Sequence, residues 1–100
     1  MSETITAIAK VYPKPGKKDA LAALLVKMAD AVRQHEPGCL LYRAHQPQSG
    51  GDVFVCYEHY ASKEAFEAHR TAPHLVDFRA QLKELVARPN DVEFYTAITK

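Results

Sequence analysis

The apolar residues of this chain change period along its length, from alternation to helical spacing and back, and each change falls at a proline, glycine or capping residue. "TITAIAKVY" (residues 4–12) sets Ile5, Ala7, Ala9 and Val11 on one side and Thr6, Ile8, Lys10 and Tyr12 on the other, the alternation of a strand with two partly apolar faces. "PKPGKKD" (13–19) breaks that pattern. Beyond it Leu21, Leu24, Leu25, Met28 and Val32 recur at helical spacing, which predicts a helix over about 16–35 closed by "EPG" at 36–38. "CLLYRAHQ" (39–46) and "DVFVCYEHY" (52–60) read as two strands joined by the hairpin loop "PQSGG" (47–51). Ser62 suits an N-cap, and Glu64 the first turn, of a short helix. That helix stops near Thr71, because Pro73 disfavours helical geometry at Ala72. A further helix carries Leu75, Phe78, Leu82 and Leu85 on one face and ends at "RPND" (88–91); "VEFYTAIT" (92–99) then alternates as a last strand.

The resulting order, β-α-β-β-α-β with the second helical unit broken at Pro73, predicts an α+β chain of ferredoxin-like arrangement: one antiparallel sheet with helices on one face. The first and last strands carry apolar residues at both parities, so the face left open is expected to pack on the same face of a second subunit. One hundred residues, 47% of them apolar and 25% charged, suit a single domain over 1–100. A chain of this length buries only about two-thirds of its unfolded surface, a second reason to expect a homodimer.

Thirteen basic against twelve acidic residues, a net charge of +1, give no electrostatic footprint for nucleic acid. The longest apolar run, "ALAALLV" (20–26), is too short to cross a bilayer, and the N-terminus lacks a basic segment leading into an apolar one; a soluble, cytoplasmic protein without membrane contact is expected. A turn near 48–51 would set Cys56 opposite Tyr42, out of disulfide reach of Cys39, so two free thiols in a reducing compartment are expected.

Among residues able to carry chemistry, His69 shares a helix face with Ala65 and Phe66, the side expected to meet the sheet. Strand parity groups Phe54, Cys56, Glu58 and Tyr60, and the first two mark that side as inward. His69, Glu58 and Tyr60 are therefore expected to meet in one pocket. The competing reading makes His69 a core residue satisfied by a hydrogen bond, and Glu58 the partner of an arginine such as Arg43 or of backbone amides. His74, at the start of the last helix, suits a capping or turn-filling role, or a contact to an anionic substrate oxygen. Tyr42, Phe66 and Phe78 read as core that doubles as pocket wall. His69 and His74 lack the spacing of a helical metal pair, and His35, His45 and His59 are scattered and expected in solvent, so no metal is expected. Cys39 and Cys56 suit small apolar roles rather than nucleophiles.

"EPGCLLYRAHQ" (36–46), "VFVCYEHYASKEAFEAHRTAPHLVDF" (53–78) and "EFY" (93–95), in this order and spacing, resemble the antibiotic biosynthesis monooxygenase family, including its small quinol monooxygenases. The resemblance implies a homodimer of ferredoxin-like subunits, a dimeric α+β barrel, each with a pocket between helices and sheet. It implies, for some members, oxygenation of small aromatic quinols or phenols by dioxygen without metal, flavin or haem. In that setting His69 would take the proton a quinol must lose before it passes an electron to dioxygen, Glu58 would orient the ring, and Tyr60 would bind a substrate oxygen. Another branch degrades haem, using an asparagine on the first strand, a tryptophan on the third and a late histidine. Here the only asparagine is Asn90, tryptophan is absent and no histidine follows His74, which argues against that reaction. Many relatives carry tryptophan where this chain has Tyr60, whereas the autoinducer-processing branch has tyrosine. An isomerase acting on a small hydroxy-ketone is therefore the alternative, and a non-catalytic ligand-binding dimer a third reading.

Overall fold

The computed structural model describes residues 4–99. Strands β1 (Ile5–Val11), β2 (Cys39–His45), β3 (Phe54–Tyr60) and β4 (Asp91–Tyr95) form one antiparallel sheet in the order β2-β3-β1-β4. Helices α1 (Lys18–His35), α2 (Lys63–Arg70) and α3 (Val76–Leu85) complete the expected ferredoxin-like succession, with a 3-10 turn (Pro73–Leu75) between the last two.

The core follows from the periods in the sequence. Leu21, Leu24, Leu25, Met28 and Val32 of α1 are all buried, the first four in one cluster with Ala9 and Val11 of β1 and Phe54 and Cys56 of β3. At about 1.5–3 kcal/mol for each large side chain, the stripe of α1 contributes on the order of 10 kcal/mol of gross burial, so docking rather than helix propensity holds α1 in place. Ser62 caps α2, its Oγ accepting from the Ala65 amide at 3.1 Å. Ala72, ahead of Pro73, is extended (φ −65°, ψ 124°), which ends α2 and turns the chain into the 3-10 turn. Leu75, fully buried, pins that turn to a second cluster with Val32, Tyr42 and Ala72.

Three expectations are corrected. Cys56 lies opposite Ala44, and Tyr42 opposite Glu58, because the loop runs over 46–53; farther along, Leu40 bulges out of β2 between Cys39 and Leu41. The slip is of two residues, so inward parity survives, and both cysteines remain free. The last helix stops at Leu85 rather than at "RPND": the Leu85 carbonyl accepts from the Lys14 amide and the Ala87 amide donates to Tyr12, both at 2.8 Å, drawing 85–87 into extended pairing with "YPK". β4 ends at Tyr95, so "TAIT" is not strand. No described helix is long and apolar enough to cross a membrane.

Candidate active site

α1 ends at His35, and Glu36 leaves the helical region (φ −127°, ψ 81°) ahead of Pro37. Gly38 follows so close to α2 that an added Cβ would lie 2.6 Å from the Ala65 Cβ. The "EPG" turn thus runs directly beneath α2, and Glu36, with its side chain only 7% exposed, meets two imidazoles there. His69 Nδ1 lies 2.8 Å from Glu36 Oε1, and His74 Nε2 lies 2.6 Å from Oε2. The break at Pro73 turns His74 back onto the carboxylate that α2 already reaches through His69.

A cavity of about 310 Å³ opens beside this cluster, between the helices and the β1–β4 side of the sheet. That is the lower end of the range for small-molecule sites. Its walls include Tyr42, Phe66, Val92 and Phe94, and its polar groups include Glu58, His69 and Arg79. A larger cavity, about 590 Å³ between α1 and β2, is lined by apolar side chains with Arg33, Arg43 and His45 but no carboxylate. Groups able to exchange protons converge in the smaller one.

His69 has one free ring nitrogen. Among the described residues Nε2 has no hydrogen-bond partner, and no buried side-chain nitrogen or oxygen lacks one, so Nε2 is not sealed in protein; the His69 ring lines the cavity. Burial holds its pKa below the ordinary 6.5, against the opposing pull of Glu36, so the imidazole is neutral and basic near pH 7. The ring packs 5.3 Å from Tyr60 and 5.6 Å from Tyr42.

The carboxylate on His69 is therefore Glu36, not Glu58. Glu58 does face the cavity, but it accepts the Tyr60 hydroxyl at 2.6 Å. Burial, with the charge of Glu36, raises its pKa to about 7, so it exchanges a proton near neutrality. Tyr60 is fully buried and does not line the cavity; burial and Glu58 keep its phenol protonated, and its hydroxyl serves Glu58 rather than a bound molecule. Of the residues expected to touch substrate, Tyr42 and Phe66 form wall, whereas His74 and Phe78 lie off it. Phe78 packs into the core beneath α3.

Two residues of the site carried no signal in the reading above. Glu36 was legible only as part of a turn. Arg79 donates to the carbonyls of His69 (2.8 Å) and Arg70 (2.9 Å), closing the C-terminus of α2 from α3 while its charge faces the cavity. Of the three scattered histidines, His59 meets Thr6 Oγ1 at 3.0 Å and the His35 ring lies 4.9 Å from that of His74. Burial pushes the thiols of Cys39 and Cys56 up to about 11 and about 12, unsuited to nucleophilic attack. No three His, Cys, Asp or Glu among the described residues are disposed to hold a metal ion.

Comparison with known proteins agrees with this architecture. Over 89 residues, 89% of the chain and 86% of the relative, it is 38% identical to "Putative monooxygenase Rv0793" of Mycobacterium tuberculosis. The solved structure of Rv0793 superposes with a TM-score of 0.86 over 97% of both chains. A Caulobacter crescentus structure described as a "putative antibiotic biosynthesis monooxygenase" shares the fold at a TM-score of 0.90, covering 98% of this chain and 92% of its own, at 23% identity. With residues 4–81 matching the antibiotic biosynthesis monooxygenase family, the chain belongs to that family.

Proposed function

We propose that the protein is a monooxygenase that oxidises small electron-rich aromatics, quinols or phenols, with dioxygen and without a metal or organic cofactor. The observation that carries this reading is the His69 ring, which lines the cavity with Nε2 free of any protein partner while Nδ1 is held by Glu36. Nε2 takes the proton of the substrate hydroxyl. The phenolate, in a cavity that includes Tyr42, Phe66, Val92 and Phe94, passes one electron to dioxygen, and the resulting pair combines at an open ring carbon. The His69 imidazolium returns its proton to the peroxide so formed, and loss of water from that hydroperoxide, with departure of the ring hydrogen, leaves a quinone; one oxygen atom enters the product and the other leaves as water. Arg79 supplies positive charge facing the developing anions, and Phe94 and Val92 close the β4 side.

Self-association belongs to the same proposal. The sheet face away from the helices carries Leu41 of β2, Tyr57 of β3 and Tyr95 of β4, exposed by 36%, 37% and 46% and lying in two adjacent rows of the ladder, and a second copy of the chain would cover it.

The test is oxygen uptake by metal-stripped protein with a panel of quinols and polyhydroxy-aromatics, corrected for autoxidation. His69→Ala is expected to lower protein-dependent uptake about 10²–10⁴-fold, the usual contribution of a positioned base. Unchanged uptake in that variant would remove His69 from the mechanism. One observation favours a second reading: Glu58, with a pKa of about 7, faces His69 across the same cavity, so a base and an acid are present for enolising a hydroxy-ketone. Turnover of such a ketone without oxygen consumption would establish it.

A further inference from the structure

We propose that Glu36 and His74 are positioning residues that lock His69 in the tautomer whose lone pair faces the cavity. The inference deepens the functional reading above and rests on His69 being its base.

As a carboxylate, Glu36 can only accept hydrogen bonds, so each imidazole beside it must present an N–H. For His69 that atom is Nδ1, 2.8 Å from Oε1. A neutral imidazole carries a single N–H, so placing it on Nδ1 leaves Nε2, the nitrogen without a protein partner on a ring that lines the cavity, as the lone pair. The opposite tautomer would set two lone pairs against each other at Nδ1 and would present the substrate hydroxyl with a donor instead of a base. Choice of tautomer therefore decides whether the site can take a proton at all.

Glu36 can make that choice only if its own plane is held, and this is the role of His74. Its Nε2 donates to Oε2 at 2.6 Å, so both carboxylate oxygens are committed, each to one ring. Neither oxygen pairs with a lysine or arginine among the described residues; the two imidazoles are the partners of a side chain 7% exposed. The three groups come from separate segments: the turn after α1, the last turn of α2, and the 3-10 turn after Pro73. His74 does not line the cavity, so it reaches substrate only through Glu36 and His69. Its ring is backed by that of His35 at 4.9 Å, which limits its rotation.

The experiment combines ring-nitrogen NMR of the histidines with single-turnover kinetics on wild type, E36Q, H74A and H74Q. The wild type is expected to show His69 with its proton on Nδ1. In E36Q the amide offers one oxygen and one NH₂ to two rings, so a population of His69 moves its proton to Nε2 and kcat falls at least 10-fold with little change in KM. H74A is expected to give an intermediate loss, and H74Q, which restores an N–H at a similar reach, to recover it. His69 protonated on Nε2 in the wild type would overturn the proposal, as would E36Q or H74A proteins of lowered Tm whose folded fraction keeps the wild-type tautomer and kcat. Should E36Q not fold, the pair H74A and H74Q decides the matter alone. The NMR readout needs no turnover: a wild type with the Nδ1–H tautomer, lost in H74A, but with no oxygen uptake would uphold the lock and reject the oxygenase.

Discussion

Replacing Glu58 by glutamine should make the protein more stable in alkaline solution and leave it nearly unchanged in acid. Glu58 is 8% exposed and its carboxyl pKa is raised from 4.5 to about 7, chiefly because burial penalises the charge. A folded-state pKa above the unfolded one means that folding favours the protonated form. The associated stability is fully present below about 4.5 and is lost as pH rises through about 7. At about 1.4 kcal/mol for each tenfold change in proton affinity, the loss is roughly 3 kcal/mol. Glutamine stays neutral at every pH and keeps an oxygen to accept the Tyr60 hydroxyl, which lies 2.6 Å from Oε1 in the wild type. Urea denaturation of wild type and E58Q at pH 5 and at pH 8.5 measures the effect. The two proteins should lie within about 1 kcal/mol of each other at pH 5, where Tyr60 keeps its acceptor. E58Q should be more stable by about 2–3 kcal/mol at pH 8.5, from the full effect less local relaxation. His69 works in the opposite direction: its lowered pKa removes stability as pH falls through it, and because both proteins carry it, the comparison cancels its contribution. A difference between the proteins that is the same at both pH values would refute the argument, because it would mean that Glu58 is ionised in the fold without penalty.

The same electrostatics separate the two candidate proton acceptors in turnover. With His69 as base, the acid limb of kcat/KM should fall below pH 6.5, because burial lowers the imidazole pKa; a limb near 7 that disappears in E58Q would transfer the role to Glu58. At the "EPG" turn, Gly38→Ala should cost about 1–3 kcal/mol in denaturation, since its Cβ would stand 2.6 Å from that of Ala65. Ala65→Gly in the same chain should recover part of the packing loss, and a lack of any recovery would place the cost in the backbone instead.

The order of elements, the inward parity of Glu58 and Tyr60, the Ser62 cap and the break at Pro73 were all legible in the sequence. Each is a local property: the spacing of apolar residues within one segment, or a backbone preference of one residue for its neighbour. A two-residue error in hairpin register left parity intact because side chains alternate with that same period. The family motifs, likewise, were readable as letters in order.

The partners within the site were decided by tertiary structure. His69 was assigned Glu58 from shared facing, yet its hydrogen bond goes to Glu36, 33 residues away, while His74 reaches the same carboxylate across 38. Nothing local marks Arg79 as the group that closes α2 from another helix. Phe94 becomes cavity wall only because β4 pairs with β1, bringing it opposite Ala7. Periodicity tells which way a side chain points, because that depends on the few residues around it. Which acceptor it finds depends on where separate segments come to rest against a common core, and here the approach of Gly38 to Ala65 put Glu36, rather than Glu58, within reach of His69.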